Sequence, residues 1–539
     1  MTMNRTKRRG LFLAAAVAVA GGWLAVPWAG AEIWDNGGAD SNWSTPQNWN
    51  PNNEPTAATT ASIGRSGASY DPAAFAVVTE AGEVASKLYM GWTGSTGTLV
   101  IASGNVTVSG SEFYLGYQNG GFGLIIQSNG TVNSTYSAAG AVRLANTANG
   151  RGTYVLEGGA LNVAHDVAVG HLGDGTLECR GGRLTARDIF LGNAAGATGR
   201  ALIENDCAIS ARNLYVGNSG TGALAQYGGA VTFSSVIIGN STSGTGTYVL
   251  AGGSLVVTNF TFYNGTSRFE QTNGTTVTAI NTFRLGMNDA VARATYTMRG
   301  GALNVLGHYE APYTLAAHSE LRGWGTVTVT NASRNFSLKG ANASVCADGF
   351  GADHELKLNF TLFPDVDPND PASRNGWYAV NHGKLTLPNV SVAADTVYWG
   401  EDAGGGPNRA NAVKVVFAGR SGTGTLAGSL RAGDHGDVPA YDGTAKLAGV
   451  WRFGNAGFTF ASAALTFRYD PDAVAALGLA ESDIDVYWSS GAPGAAWTRL
   501  NDLIRDGANN RITASGASGL GFFAVGKIVL PAGTVVIIR

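Results

Sequence analysis

The segment Gly152–Val163, GTYVLEGGALNV, returns almost unchanged as GTYVLAGGSLVV at Gly246–Val257. Neither copy holds a nucleophile beside a base. What repeats is a pattern of fit, and that pattern restricts the fold more than any other feature of the chain. From about residue 84 to 308 two anchors alternate. The first is a glycine that closes a short apolar strand: LYMG, FYLG, VAVG, IFLG, LYVG, VIIG and FRLG, ending at Gly91, Gly116, Gly170, Gly192, Gly217, Gly239 and Gly286. The second is a Gly pair or its substitute. With VRLA and FTFY as degenerate first anchors there are nine copies, mostly 22–25 residues apart, with one spacing of 29.

The position four before the second anchor holds Leu99, Ile125, Tyr154, Leu177, Leu202, Leu224, Tyr248, Phe269 and Tyr296, all large and apolar. Before the first anchor, pairs such as Leu88/Met90, Val167/Val169 and Leu214/Val216 stand two residues apart, which puts both side chains on one face of a strand. A third strand follows the second anchor, as in Leu161/Val163 and Leu255/Val257. Each copy therefore reads as three short strands and their turns. One such coil cannot bury its apolar face alone, whereas stacked coils can. The spacing predicts an all-β chain with a parallel β-helix (solenoid) of about nine coils. Glycine, 78 of 539 residues, is about twice its usual share, as tight corners require.

The predicted layout has five parts. Residues 1–31 read as a signal peptide: Arg5, Lys7, Arg8 and Arg9 precede an apolar run from Leu11 to Val26, and Ala29-Gly30-Ala31 supplies the cleavage pattern. Residues 32–83 form an N-terminal cap rich in tryptophan. The solenoid covers 84–308, and 309–345 hold the last coil or its C-cap, including ELRGWGTVTV. Residues 346–539 form a C-terminal β-sandwich-like module, in which KLTLPNVSV, AVKVVFAG, ALTFRYD, IDVYW and NRITAS read as antiparallel strands. A short helix is expected at DPDAVAALGL, with Asp470 as N-cap and Pro471 at its first position. No segment after the signal is expected to span a membrane, since KIVLPAGTVVIIR is short and broken by Pro531 and Gly533.

Loss of the signal's four basic residues takes the formal charge from −3 to −7. That argues against a nucleic-acid partner, which needs a basic face. Cys179, Cys207 and Cys346 are too few for a disulfide framework. Cys179 and Cys207 stand three columns apart in the repeat, a spacing that does not favour a bridge and leaves their pairing open. Trp34, Trp43 and Trp49 admit two readings: rings that cover the first coil, or an aromatic platform for a sugar ring.

The W…W…NW…P opening, the LxVGNSGTGxLxxxGGxVxV coils and the GxGTV segment resemble the autotransporter-associated β-strand repeat proteins and the related repeats of secreted bacterial PEP-CTERM proteins. The likeness covers roughly residues 34–330. The ALTFRYDP…DIDVYW…AWTRL end resembles a β-module found at the C-terminus of such proteins. The resemblance implies export, a right-handed β-solenoid and a surface or matrix role, and it brings no catalytic residues. Neither a membrane barrel nor a PEP-type sorting motif is read at the end of this sequence, which leaves the anchoring mode open.

One constellation stacks acid beside base. His165-Asp166, Arg187-Asp188 and Arg212-Asn213 occupy the same two columns in three consecutive coils. Stacking should bring Asp166 and Asp188 within about 5 Å. The chemical reading is a calcium or lyase site; the structural reading, preferred here, is a corner whose acids bond turn amides and are neutralised by Arg. DVDPND (Asp365–Asp370) reads as a solvated acidic turn, lacking the glycine and Glu of a calcium loop. Asn193, Asn218 and Asn240 should form an amide ladder. The seven histidines lack ligand spacing. The sequence thus names no catalytic, cofactor or metal residue. It points to a non-enzymatic exported spacer or adhesin at a cell surface or in a matrix, with glycans as candidate partners. The alternatives are a polysaccharide lyase-like β-helix enzyme and a carbohydrate-binding protein.

Overall fold

The computed structural model describes residues 30–67, 73–137, 142–204, 206–272, 274–286, 293–310, 318–330, 343–350, 354–360, 376–400, 409–432, 445–492 and 495–528. Residues 1–29 of the predicted signal, the DVDPND turn and the KIVLPAGTVVIIR tail beyond Ile528 lie outside them; the last predicted signal residue, Ala31, opens the first strand.

The chain is a parallel β-solenoid of about 10 turns followed by an antiparallel sheet. The stacking is in register. Phe122–Gln127 pairs in parallel with Thr96–Ile101 before it and Arg151–Leu156 after it. The inward column predicted from the repeat is buried in eight coils, from Leu99 through Tyr154 and Leu177 to Tyr296. The fifth coil corrects the prediction. There Ala201, not Leu202, pairs with Leu177 and Leu224, and Leu202 faces outward. Leu202 is four before Asp206, the second residue of the Asn205-Asp206 anchor, whereas the position four before Asn205, equivalent to the count in the other coils, is Ala201. From the fourth to the eighth coil the third strand and the next first strand fuse, as in the nine-residue strands Arg183–Leu191 and Ala230–Ile238.

The first-anchor glycines are conformational requirements. Gly217 sits at φ 74°, and a Cβ there would meet the Thr245 carbonyl oxygen of the next coil at 2.3 Å. Ala145, the degenerate anchor of VRLA, makes the same turn at φ 63° with a Cβ attached.

The ends differ from the predicted boundaries. Parallel stacking already begins inside the cap, where Ala31–Trp34 pairs with Thr60–Ile63 and that strand pairs with Lys87–Met90. Trp49–Asn50 folds antiparallel onto Ala31–Trp34. Trp34 and Trp43 pack edge-on against Trp49, with centroids 5.0 and 4.9 Å away, and all three rings are fully buried. At the other end the stack runs past residue 345. His318–Val329 continues into Ala343–Asp348 and Glu355–Phe360, and these into Trp377–His382 and Lys384–Thr386. Lys384–Thr386 then pairs antiparallel with Ser421–Arg431. A strand edge that would otherwise invite another chain is covered by the next domain.

Two antiparallel sheets form that domain. One is the series Thr396–Trp399, Val413–Ala418, Ser462–Arg468, Arg511–Ala517 and Leu503–Asp506. The other runs from Ser421–Arg431 through Lys446–Thr459 to Phe522–Lys527 and Asp485–Ser489. Aromatic rings join them: Trp399 to Phe453 at 5.6 Å, Phe417 to Phe458 at 5.0 Å and Trp451 to Phe467 at 5.1 Å. The expected helix is Pro471–Ala476, and the Asp470 side chain accepts a hydrogen bond from the Asp472 amide.

Candidate functional site

The acid-base ladder is real and neutralises itself. Asp166, Asp188 and Asn213 stand opposite one another in successive coils. Two carboxylates so placed repel unless cations intervene. The Arg187 guanidinium does so, 3.2 Å from Asp166 and 3.1 Å from Asp188. Arg212 donates to both oxygens of Asp188, at 3.1 and 2.6 Å, and the Asn213 amide adds a third bond at 2.7 Å. Asp188 is thereby saturated, and only 3% of it is exposed. Asp166 lies 2.9 Å from His165 Nδ1. Burial raises its carboxyl above the usual range, against the pull of His165 and Arg187. Both oxygens of Asp188 are turned to Arg and Asn, while Asp166 faces Arg187 and His165, with its Oδ1 buried and without a hydrogen bond. Among the described residues, no group of three or more His, Cys, Asp or Glu is placed to hold a metal ion.

The asparagine ladder follows the predicted column and extends one coil further. Asn240 Nδ2 donates to Asn218 Oδ1 at 2.8 Å, and Asn218 Nδ2 donates to Asn193 Oδ1 at 3.0 Å. Asn193 Nδ2 lies 3.0 Å from His171 Nδ1. A chain of amides donating in one direction needs an acceptor at its end. Neutral His171 supplies one, and burial, with Arg143 nearby, pushes its pKa down to about 4.

Cys179 and Cys207 form a disulfide, which the column spacing did not favour. The register keeps the counted separation, since Cys207 stands before Ala208, the partner of Arg183, and so falls opposite Gly182, three residues on from Cys179. At this corner the chain turns back through Gly182 at φ 74°, and across the turn the two Cα atoms are 5.7 Å apart. Column counting measures separation along the strand and misses approach across a corner. Cys346 is buried, and burial pushes its thiol up to about 12, so it is no nucleophile at neutral pH.

The sugar-platform reading of the cap does not hold, because Trp34, Trp43 and Trp49 have no exposed face. A second aromatic group, Tyr89, Trp92, Tyr114 and Tyr117, lies outside the coils but closes on itself. Tyr89 stacks on Tyr117 at 4.2 Å, and Arg143 covers Tyr114.

A concave region that sequence reasoning missed lies on the outer face of the last coils. It has a volume of about 530 Å³ and crosses Thr266–Thr272, Arg293–Val305, His318–Val329 and Ala343–Asp348. Thr295 and Thr297 line it together with Arg299, Glu320, Arg322 and Trp324. The Trp324 ring stacks on His354 with centroids 4.4 Å apart. Phe350 lies against His382 at 3.7 Å and is 71% exposed. Arg299 pairs with Glu270 at 2.6 Å, and Arg322 pairs with Glu320 at 3.4 Å and with Asp348. Burial works to raise the Asp348 carboxyl, but bonds from Arg322 and His382 outweigh it and hold the pKa below the usual range. The available signal was Trp324 itself, which stands where the repeat fades.

No family model matches this chain, and neither does any curated protein or solved structure.

Proposed function

We propose that this protein is an exported, non-enzymatic solenoid that acts as a spacer or adhesin at a cell surface or in an extracellular matrix. The observation that carries the reading is the parallel stacking of the described strands from the Trp-sealed end to the sandwich, with local register shifts at three pairings. Each coil adds about 4.8 Å of length, and the covered ends keep the stack from growing onto a second chain. The Cys179–Cys207 bridge supports export, because such bonds persist in oxidising compartments. The ladder at Asp166 and Asp188 supports a scaffold role, because its acids are engaged by Arg and Asn.

Two measurements test this. Protease treatment of intact cells should remove the protein, and full protection would overturn surface display. Deleting residues 221–265 removes two coils between positions that share one register. The shortened chain should still fold, with its longest dimension reduced by about 10 Å in small-angle scattering. An unfolded product would refute the modular rod. A second reading, carbohydrate binding, is favoured by the groove beside Trp324.

A further inference from the structure

We infer that the groove on the outer face of the last coils binds a linear, neutral, β-linked hexose chain lying along the solenoid axis. Four observations converge. The groove's volume of about 530 Å³ is within the range typical of ligand sites, roughly 300–1,000 Å³. Its charges compensate one another. Glu270, Glu320 and Asp348 each hold an arginine, among Arg268, Arg299 and Arg322. Such a surface offers a polyanion no net attraction, yet it presents many fixed donors and acceptors to hydroxyl groups.

The third observation is aromatic. Phe350 is the most exposed of the large apolar side chains that are solvent-facing among the described residues, and it lines this groove. Trp324 is half-buried, and its stacking on His354 limits its motion. Rings of this kind offer apolar faces to the C–H faces of a pyranose, while hydroxyls at the sugar edge find the polar groups. The fourth is periodicity. The lining strands follow at the spacing of a parallel sheet, with Arg268, Thr295 and Glu320 in one column and Glu270, Thr297 and Arg322 in another. A β-linked hexose chain advances by close to one strand spacing per sugar, so successive sugars meet successive coils.

The proposal deepens the adhesin reading and rests on it. Display is tested on cells and binding on purified protein, so either can fail alone. The experiment is isothermal titration of the mature protein with hexasaccharides of β-1,4-linked glucose and of β-1,4-linked mannose, with oligoguluronate as the anionic control. The expected result is binding of at least one neutral chain, weakened tenfold or more by Phe350→Ala and by Trp324→Ala. Phe350→Ala removes an exposed side chain and should leave the melting temperature unchanged, which separates a binding loss from a folding loss. No binding of either neutral chain, binding of the anion alone, or equal affinity in Phe350→Ala would each overturn the proposal.

Discussion

Tyr248 Oη donates a 2.5 Å hydrogen bond to Gln226 Oε1, and both side chains are fully buried between two coils. Tyr154 makes the same bond to Gln127, and Tyr296 makes it to Gln271. Each Gln amide also donates to a backbone carbonyl of the following coil: Ala160, Ser254 or Ala302. The inward column at this corner reads Gln127, Leu156, Cys179, Ile203, Gln226, Leu250, Gln271, Met298 in successive registered coils. A residue that links two coils, Gln or the bridged Cys179, alternates along it with an aliphatic residue or Met. Every second coil is thus clasped to its successor, by glutamine three times and by the Cys179–Cys207 bridge once.

The clasp predicts non-additive mutations. Tyr248→Phe leaves Gln226 Oε1 buried and unpaired, which costs about 1–3 kcal/mol. Adding Gln226→Leu should recover most of that loss, because leucine occupies the same column at Leu156 and Leu250. Urea unfolding of the two single variants and the double gives the coupling. A coupling of zero would show that the hydrogen bond contributes nothing.

The bridge should behave as a clasp of the same kind. Cys179 and Cys207 are 28 residues apart, and closing a loop of that length stabilises the fold by about 3–4 kcal/mol. Cys207→Ser should lower the melting temperature, and added reductant should then have no further effect. A wild-type protein whose melting is indifferent to reductant would contradict this.

Ala145 carries a testable strain. It holds a left-handed φ of 63° where the other intact anchors are glycine. Ala145→Gly should therefore raise stability by about 1 kcal/mol. Gly217→Ala should do the reverse and cost more, because its new Cβ also collides with the Thr245 carbonyl. The urea midpoints of the two variants should move in opposite directions. A fall with Ala145→Gly would show that the turn is unstrained.

His171 makes the asparagine ladder sensitive to acid. Its pKa is held down at about 4 in the folded protein, by burial first and then by Arg143, against about 6.5 in an unfolded chain. The unfolded state therefore binds more protons between these values. The stabilisation from this group is full above about pH 6.5 and is lost as pH falls toward 4. Protonation would also give Nδ1 a hydrogen where Asn193 needs an acceptor. His171→Asn should flatten this part of the profile, which thermal melts from pH 4 to 7 would reveal. An unchanged slope would place the acid sensitivity elsewhere.

Periodicity alone disclosed the solenoid, its inward faces, the asparagine ladder and the Asp166–Asp188 column. These are all properties of one coil stacked on its neighbour, and a repeat in sequence records each such contact many times over. What occurs once was not legible there. The Cys179–Cys207 bridge joins columns three residues apart that approach across a corner; counting along strands cannot register nearness across a turn until the turn is folded in space. The three tryptophans near the N-terminus left a choice between cap and platform, and only their mutual packing decided it. The groove beside Trp324 gathers residues from Arg268 to His354. They share no motif, because their nearness comes from the stacking of coils and not from their order along the chain.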